Sequence, residues 1–235
     1  MDKIFTRSDL AGLSEIIWSL GPAGISRSEF VELLRKLSEL LGADFAASYV
    51  WSEACKRSTD GIAWNIPETA MKMHETTWQN IDPLTPLLRQ RQRPTLTAEV
   101  MDRRSLEKSD FYHQFLRPNG LHHGINVYYV SEGVDVRDLR IWRAKGEPEF
   151  GNREKQILMV LEPYFIRALG VKSAAIQCLT VREREVAQLA SRGLTDKEIA
   201  RQLGIGFTTV RSHLNQALSK LNCMNRTELS ASIRN

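Results

Sequence analysis

Two helical patterns separated by three residues constrain this chain more than any other stretch. Thr195 to Leu203 reads TDKEIARQL, with Ile199, Ala200 and Leu203 as its apolar stripe. Thr195 and Glu198 stand at capping-box spacing, where each side chain satisfies a backbone N–H at the helix start. Gly204-Ile205-Gly206 interrupts the pattern. A longer one then runs from Phe207 to Leu221, where Val210, Leu214, Ala217, Leu218 and Leu221 recur along one helical face. Two helices joined by a tight glycine-containing turn make a helix-turn-helix. Another helix precedes the pair, with Thr180 and Glu183 as its capping box, Val186, Leu189 and Ala190 on its apolar face, and Gly193 at its end. A fourth follows Asn225, with Leu229 and Ile233 as its apolar positions. The spacing predicts one small all-α domain over 179–235.

The outer face of the long helix carries Thr208, Arg211, Ser212 and Asn215, with Thr209 beside them. A merely solvated face is more often filled with Lys and Glu. Hydrogen-bonding side chains of modest length can instead meet base edges in a major groove, which the second helix of this motif enters. Lys220, a turn or more beyond them, is placed to meet a phosphate. The charge distribution points the same way. From 179 onward there are nine basic and five acidic residues, which leaves 23 of each sign before it, so the net charge of +4 sits on the small domain. A basic domain fused to a neutral partner is the asymmetry of a nucleic-acid binder.

These residues resemble a known family. Leu179-Thr180, Arg182-Glu183, Glu185-Val186, Gly193-Leu194, Glu198-Ile199-Ala200, Leu203, Thr209-Val210, His213, Lys220-Leu221 and Asn225-Arg226 match the four-helix DNA-binding domain of LuxR-type transcriptional regulators. Gly206 stands where that family usually has a capping Ser, a change that costs a few tenths of a kcal/mol. The resemblance implies a regulator that binds operator DNA as a homodimer. The expected operator is an inverted repeat with half-sites ~10 bp apart, and RNA polymerase is a further partner compatible with that role.

Before residue 179 the pattern changes. Residues 8–19 read as a helix capped by Ser8 and ended at Gly21–Gly24. Ser26 and Glu29 box a second helix to Leu41, ended by Gly42. Phe45–Trp51 and Gly61–Asn65 read as a hairpin. Pro67–Gln79 and a segment opened by Asp82-Pro83 read as helices, the latter ending in the basic run Arg89–Arg93, a solvated face. Thr95–Thr97 is a short extended piece, and Ser109 caps a helix through Leu116. Ile125–Val130 and Val134–Arg143 form a second hairpin through Ser131–Gly133. In it Leu139 and Ile141 alternate with Arg140 and Trp142. Asn152 caps a long helix to about Leu169. Short turns between strands imply an antiparallel sheet with helices on its faces, an α+β domain in the order of a GAF/PAS-like sensor. The expected domains are 1–170 for sensing and dimerisation, a linker at 171–178, and the DNA-binding domain at 179–235.

The family resemblance extends into this half through Asp110-Phe111-Tyr112, Phe115-Leu116, Pro118, Gly120-Leu121, Gly124, Trp142-Arg143, Phe150, Leu161-Glu162-Pro163 and Ala168-Leu169. Ile81-Asp82-Pro83 resembles a motif of acyl-homoserine-lactone receptors, in which the Asp binds the amide N–H of the signal. The Trp and Tyr that stand thirteen and nine residues before that Asp are here Thr69 and Met73. Their absence argues against a standard acyl-homoserine lactone, though not against a small-molecule effector. Tyr49, Trp51, Trp64, Trp78, Tyr128 and Trp142 are candidate aromatic walls of a pocket, with Asp82, Asn126 and Arg140 as its polar groups. Any one of these aromatics also serves simply as core, and Asp82 before Pro83 also serves as a helix cap.

No catalytic motif is present: no Gly-x-Ser-x-Gly, no phosphate-binding glycine loop and no His-Glu-x-x-His. His122 and His123, adjacent on a strand, point to opposite faces and do not share a metal. A phosphorylated receiver domain would need an acidic cluster after a first strand, whereas this chain opens with two helices. Cys55, Cys178 and Cys223 have neither zinc nor disulfide spacing and read as reduced thiols. No apolar run reaches the ~20 residues that span a bilayer, and the start lacks a signal-like apolar region. The expectation is a cytoplasmic, cofactor-free, ligand-responsive transcription factor and not an enzyme. The alternative is one whose N-terminal half is a ligand-free interaction or dimerisation module.

Overall fold

The computed structural model describes residues 5–21, 25–52, 56–131, 134–177, 179–221 and 223–234. The expected turn residues Pro22–Gly24 and Glu132–Gly133, and Cys55 and Cys178, lie outside these ranges. The chain divides into two compact units, Met1–Gly170 and Val171–Asn235.

The first unit opens with α1 (Arg7–Ser19) and α2 (Arg27–Leu41), then β1 (Phe45–Ser52), β2 (Arg57–Trp64) and α3 (Glu68–Thr76). After a 3-10 turn at Trp78–Asn80 come α4 (Thr85–Arg89), β3 (Thr95–Leu96), α5 (Thr97–Val100) and α6 (Arg103–Glu107). A π-helical turn at Tyr112–Leu116 leads to β4 (His123–Ser131), β5 (Val134–Arg143) and α7 (Asn152–Gln177). The five strands form one antiparallel sheet in the order β2-β1-β5-β4-β3.

Strand side chains alternate between faces, and that parity divides the sheet. Ala46, Ile62, Ile125, Tyr129, Leu139 and Ile141 pack on one face against α1, α2 and α7. Leu33, Leu34 and Leu37 of α2 and Leu161 and Phe165 of α7 are fully buried there, each contributing about 1.5–3 kcal/mol of burial. The other face carries Ala47, Tyr49, Asn126, Tyr128, Arg140 and Trp142, and Asn126, Arg140 and Ala47 lie abreast across three strands. α3, α4, α6 and residues 111–121 cover it with a second, smaller core. The unit is an α/β/α sandwich, as the alternation in β5 predicts.

Three local expectations differ from the structure. α1 is capped by Thr6, not Ser8: Thr6 Oγ1 accepts from Asp9 N at 3.1 Å and Asp9 Oδ2 accepts from Thr6 N at 2.7 Å. Asp9 thus fills the role usually taken by Glu, and its carboxylate also pairs with Arg153 of α7. Arg89 is not simply part of a solvated run, since it pairs with Asp135 and its guanidinium lies 4.6 Å from the Trp51 ring centre. α7 does not stop near Leu169 but continues to Gln177 through the stretch expected as a linker. That stretch reads VKSAAIQ, with neither Gly nor Pro to end a helix.

The second unit holds α8 (Val181–Ser191), α9 (Asp196–Leu203), α10 (Phe207–Lys220) and α11 (Arg226–Arg234). Both capping boxes form: Thr180 with Glu183, and Thr195 with Glu198. Gly204 closes α9 at φ +64°, a left-handed conformation that favours glycine. Val186, Ile199, Val210, Ala217 and Leu229 meet in a fully buried centre, so the predicted apolar faces are the observed ones.

Candidate functional sites: a polar cavity and a recognition helix

Beneath the second face of the sheet lies a cavity lined by side chains of β1, β4, β5, α3 and α4 and by residues 111–121. Only about 30 Å³ of its space admits water. Leu84, Phe111, Phe115, Leu116, Leu121 and Trp142 supply its apolar wall, and His74, Asp82, Thr85, Asn126 and Arg140 its polar one.

Arg140 is the centre of the polar wall. Its Nε donates to Asp138 Oδ2 at 2.8 Å, and Nη2 reaches Asp138 Oδ2 at 2.7 Å and Ser58 Oγ at 2.7 Å. The guanidinium lies 4.5 Å from the Tyr49 ring centre. Burial pushes the Asp138 carboxyl up, against the pull of Arg140. Arg140 Nη1 lies 3.3 Å from His74 Nε2. A guanidinium can only donate, so Nε2 accepts. Burial holds the imidazole below its ordinary pKa, and the neutral ring therefore carries its proton on Nδ1, a buried atom with no partner.

Asp82 both caps and lines. Its Oδ1 accepts from Leu84 N at 2.8 Å and Thr85 N at 3.2 Å, and Oδ2 accepts from Thr85 Oγ1 at 2.6 Å. Oδ2 lies 3.9 Å from both His74 Nε2 and Arg140 Nη1, too far for a hydrogen bond. Burial raises its carboxyl pKa, but its polar neighbours, Arg140 and Thr85 among them, outweigh that and hold it below the ordinary value. Asn126 Oδ1 beside the cavity, and Tyr128 Oη and Trp78 Nε1 in the same core, are buried without partners among the described residues.

On the second unit, α10 presents Thr208, Thr209, Arg211, Ser212 and Asn215, all exposed, opposite its buried Val210, Leu214 and Ala217. Gly206 caps the helix in extended geometry without a side-chain bond. The Arg211 guanidinium lies 5.8 Å from the exposed Phe207 ring, one turn earlier on the same helix.

The GerE family, described as bacterial regulatory proteins of the luxR family, matches residues 177–232, which span all four helices. The C-terminal unit is a LuxR-family DNA-binding domain. The chain is similar, at 28% identity over 200 residues, to the monoamine regulon transcriptional regulator of Klebsiella aerogenes, covering 83% of this chain and 86% of that one. Its fold is similar to that of SdiA in complex with octanoyl-rac-glycerol, with a TM-score of 0.56 at 16% identity, covering 100% of this chain and 96% of that one. It is also similar to CepR2, an N-acylhomoserine-lactone-dependent LuxR family factor from Burkholderia cenocepacia, with a TM-score of 0.52 at 15% identity, covering 69% and 93%. Residues 177–232 thus carry a LuxR-family DNA-binding domain, and the fold of the chain is that of these solved LuxR-type structures.

Within the LuxR-family unit Lys220 also has an internal partner that its spacing does not show. Its Nζ pairs with Glu183 of α8, 3.0 Å from Oε1 and 2.7 Å from Oε2. Glu183 is itself buried in the capping box of α8. Lys220 links α8 and α10 through this pair, with its own side chain 38% exposed.

In the N-terminal unit Tyr49, Asp82, Asn126, Arg140 and Trp142 line the cavity, and Trp51, Trp64, Trp78 and Tyr128 do not. Trp64 pairs opposite Ala46 and packs on the other core. Trp51 lies past the register shift of β1 against Arg89. Trp78 and Tyr128 are buried in the core behind the cavity wall. Sequence reading missed His74, Thr85, Phe111 and Phe115. The one available signal was the resemblance segment around Phe111 and Phe115, while His74 lies in a helix with no motif of its own.

Proposed function

We propose that the cavity is an effector site and that its occupancy controls operator binding by the LuxR-family domain. The observation that carries this reading is the set of buried polar atoms without partners, Asn126 Oδ1 and His74 Nδ1 above all. An unpaired buried polar atom costs about 1–3 kcal/mol, and one that lines a cavity can recover that cost by bonding a ligand. The fold shared with SdiA, solved in complex with octanoyl-rac-glycerol, supports the same reading. The protein acts as a homodimer on an inverted repeat, because one recognition helix offers too few base contacts for useful specificity.

Mass spectrometry of denatured, freshly purified protein tests the proposal. A stoichiometric small molecule, whose re-addition to stripped protein changes operator affinity, is the expected result. Absence of any such molecule, with operator binding unchanged by Asn126→Leu, would refute it. The second reading, a ligand-free interaction module, draws on the narrowness of the cavity and on Trp18, 89% exposed on α1.

A further inference from the structure

The charge and the unmet hydrogen bonds of the cavity define the ligand it takes, given the effector-site reading above. Asp138 and Asp82 place two carboxylates beside one guanidinium, and His74 is neutral. Asp138 takes two contacts from Arg140 within 2.8 Å, whereas Asp82 has no cation nearer than 3.9 Å. A carboxylate offers about four acceptor positions. Asp82 uses three of them, on Leu84 N, Thr85 N and Thr85 Oγ1. Among the described residues no further donor is within hydrogen-bond distance of Oδ2, since His74 Nε2 and Arg140 Nη1 both lie 3.9 Å away. Asn126 Oδ1 is a second buried acceptor without a donor. Phe115 and Trp142 add aromatic surface, which attracts cations over its faces. An anion entering here would meet a carboxylate whose cation, Arg140, is shared with Asp138, in a medium of low dielectric constant.

We propose that the site takes a compact amine, its protonated nitrogen donating to Asp82 Oδ2 and Asn126 Oδ1 and its apolar body lying against Phe115 and Trp142. The unpaired N–H of His74 then selects ligands that also carry an acceptor. The amine supplies a second cation to two carboxylates that share Arg140, so binding removes a buried charge imbalance and not only apolar area. The space between the cavity atoms is narrow, so the ring and branched side chains around it shift outward on binding.

A charge series on one skeleton tests this: 3-phenylpropylamine, 3-phenylpropionamide and 3-phenylpropionate, each titrated calorimetrically into the full chain and into two variants. The expected order is amine, amide, carboxylate, with the amine about tenfold tighter than the amide. Asp82→Asn keeps a capping oxygen and brings the amine and amide to similar affinity. Asn126→Leu removes an unpaired polar group, so the melting temperature of the unliganded protein rises by about 2–4 °C while amine affinity falls about tenfold. The opposed signs separate a ligand contact from a structural role. Equal or tighter binding of the carboxylate or amide would overturn the amine class and leave the effector site standing, provided Asn126→Leu weakens that binding. If none of the three binds, the amine class is refuted. If Asn126→Leu also leaves effector control of operator binding intact, the effector reading falls with it.

Discussion

Lys220→Ala separates a structural ion pair from a DNA contact. Lys220 spans from the last turn of α10 to Glu183, whose side chain is only 3% exposed, while its own is 38% exposed. An exposed pair is worth about 0.2–1 kcal/mol, whereas stripping one partner from a fully buried pair costs about 3–5 kcal/mol. This pair lies between those limits. After the substitution Glu183 still accepts from Thr180 N at 2.7 Å, and water reaches the vacated side. The expected loss, after allowance for solvent screening, is about 1–2 kcal/mol, or roughly 4–8 °C in melting temperature per kcal/mol for a domain of this size. Burial raises the Glu183 carboxyl pKa, but Lys220 and Thr180 outweigh it and hold the group below the ordinary 4.5. A carboxyl whose folded pKa is depressed stabilises fully above its unfolded pKa and loses that contribution as pH falls through the folded value. The gap between wild type and Lys220→Ala should therefore be complete at pH 7 and close below about pH 4.5. Thermal melts across that range, with DNA titrations at several salt concentrations, give both readouts. The structural assignment predicts a lower melting temperature and an unchanged salt slope for the folded protein. An unchanged melting temperature with a salt slope reduced by about one would refute the reasoning and return Lys220 to the phosphate contacts.

Three further outcomes are expected. Arg211→Ala should cost about 1–3 kcal/mol on the specific operator and little on random DNA, and equal losses on both would remove it from the base-reading set. Gly124→Ala should destabilise the N-terminal unit by about 1–3 kcal/mol, because a Cβ there would meet Thr97 Cγ2 at 2.6 Å and Trp142 Cζ3 at 2.7 Å; a wild-type melting curve would show that the cavity wall is more yielding than this packing implies. Footprinting should protect two half-sites about one helical turn apart, and a single protected half-site with monomeric sedimentation would contradict the dimer.

The DNA-binding domain was legible in the sequence because its determinants are local. Each capping box spans four residues, and each apolar face repeats within one helix, so Thr195, Glu198, Val210 and Leu214 announce their own geometry. The two faces of β5 were legible for the same reason, since strand side chains alternate with period two. Register and long-range contact were not. Trp64 and Trp142 look equivalent as strand aromatics, but pairing places Trp64 opposite Ala46 on one core and Trp142 in the cavity. His74 acquires a role only when α3 lays it against Arg140, 66 residues away. Lys220 meets a carboxylate 37 residues earlier. A window of sequence encodes propensity, capping and periodicity. Which buried charge meets which partner is decided by the packing of distant elements, and that packing also sets Asp82 and Asn126 in the cavity wall, with Asn126 Oδ1 lacking a partner among the described residues.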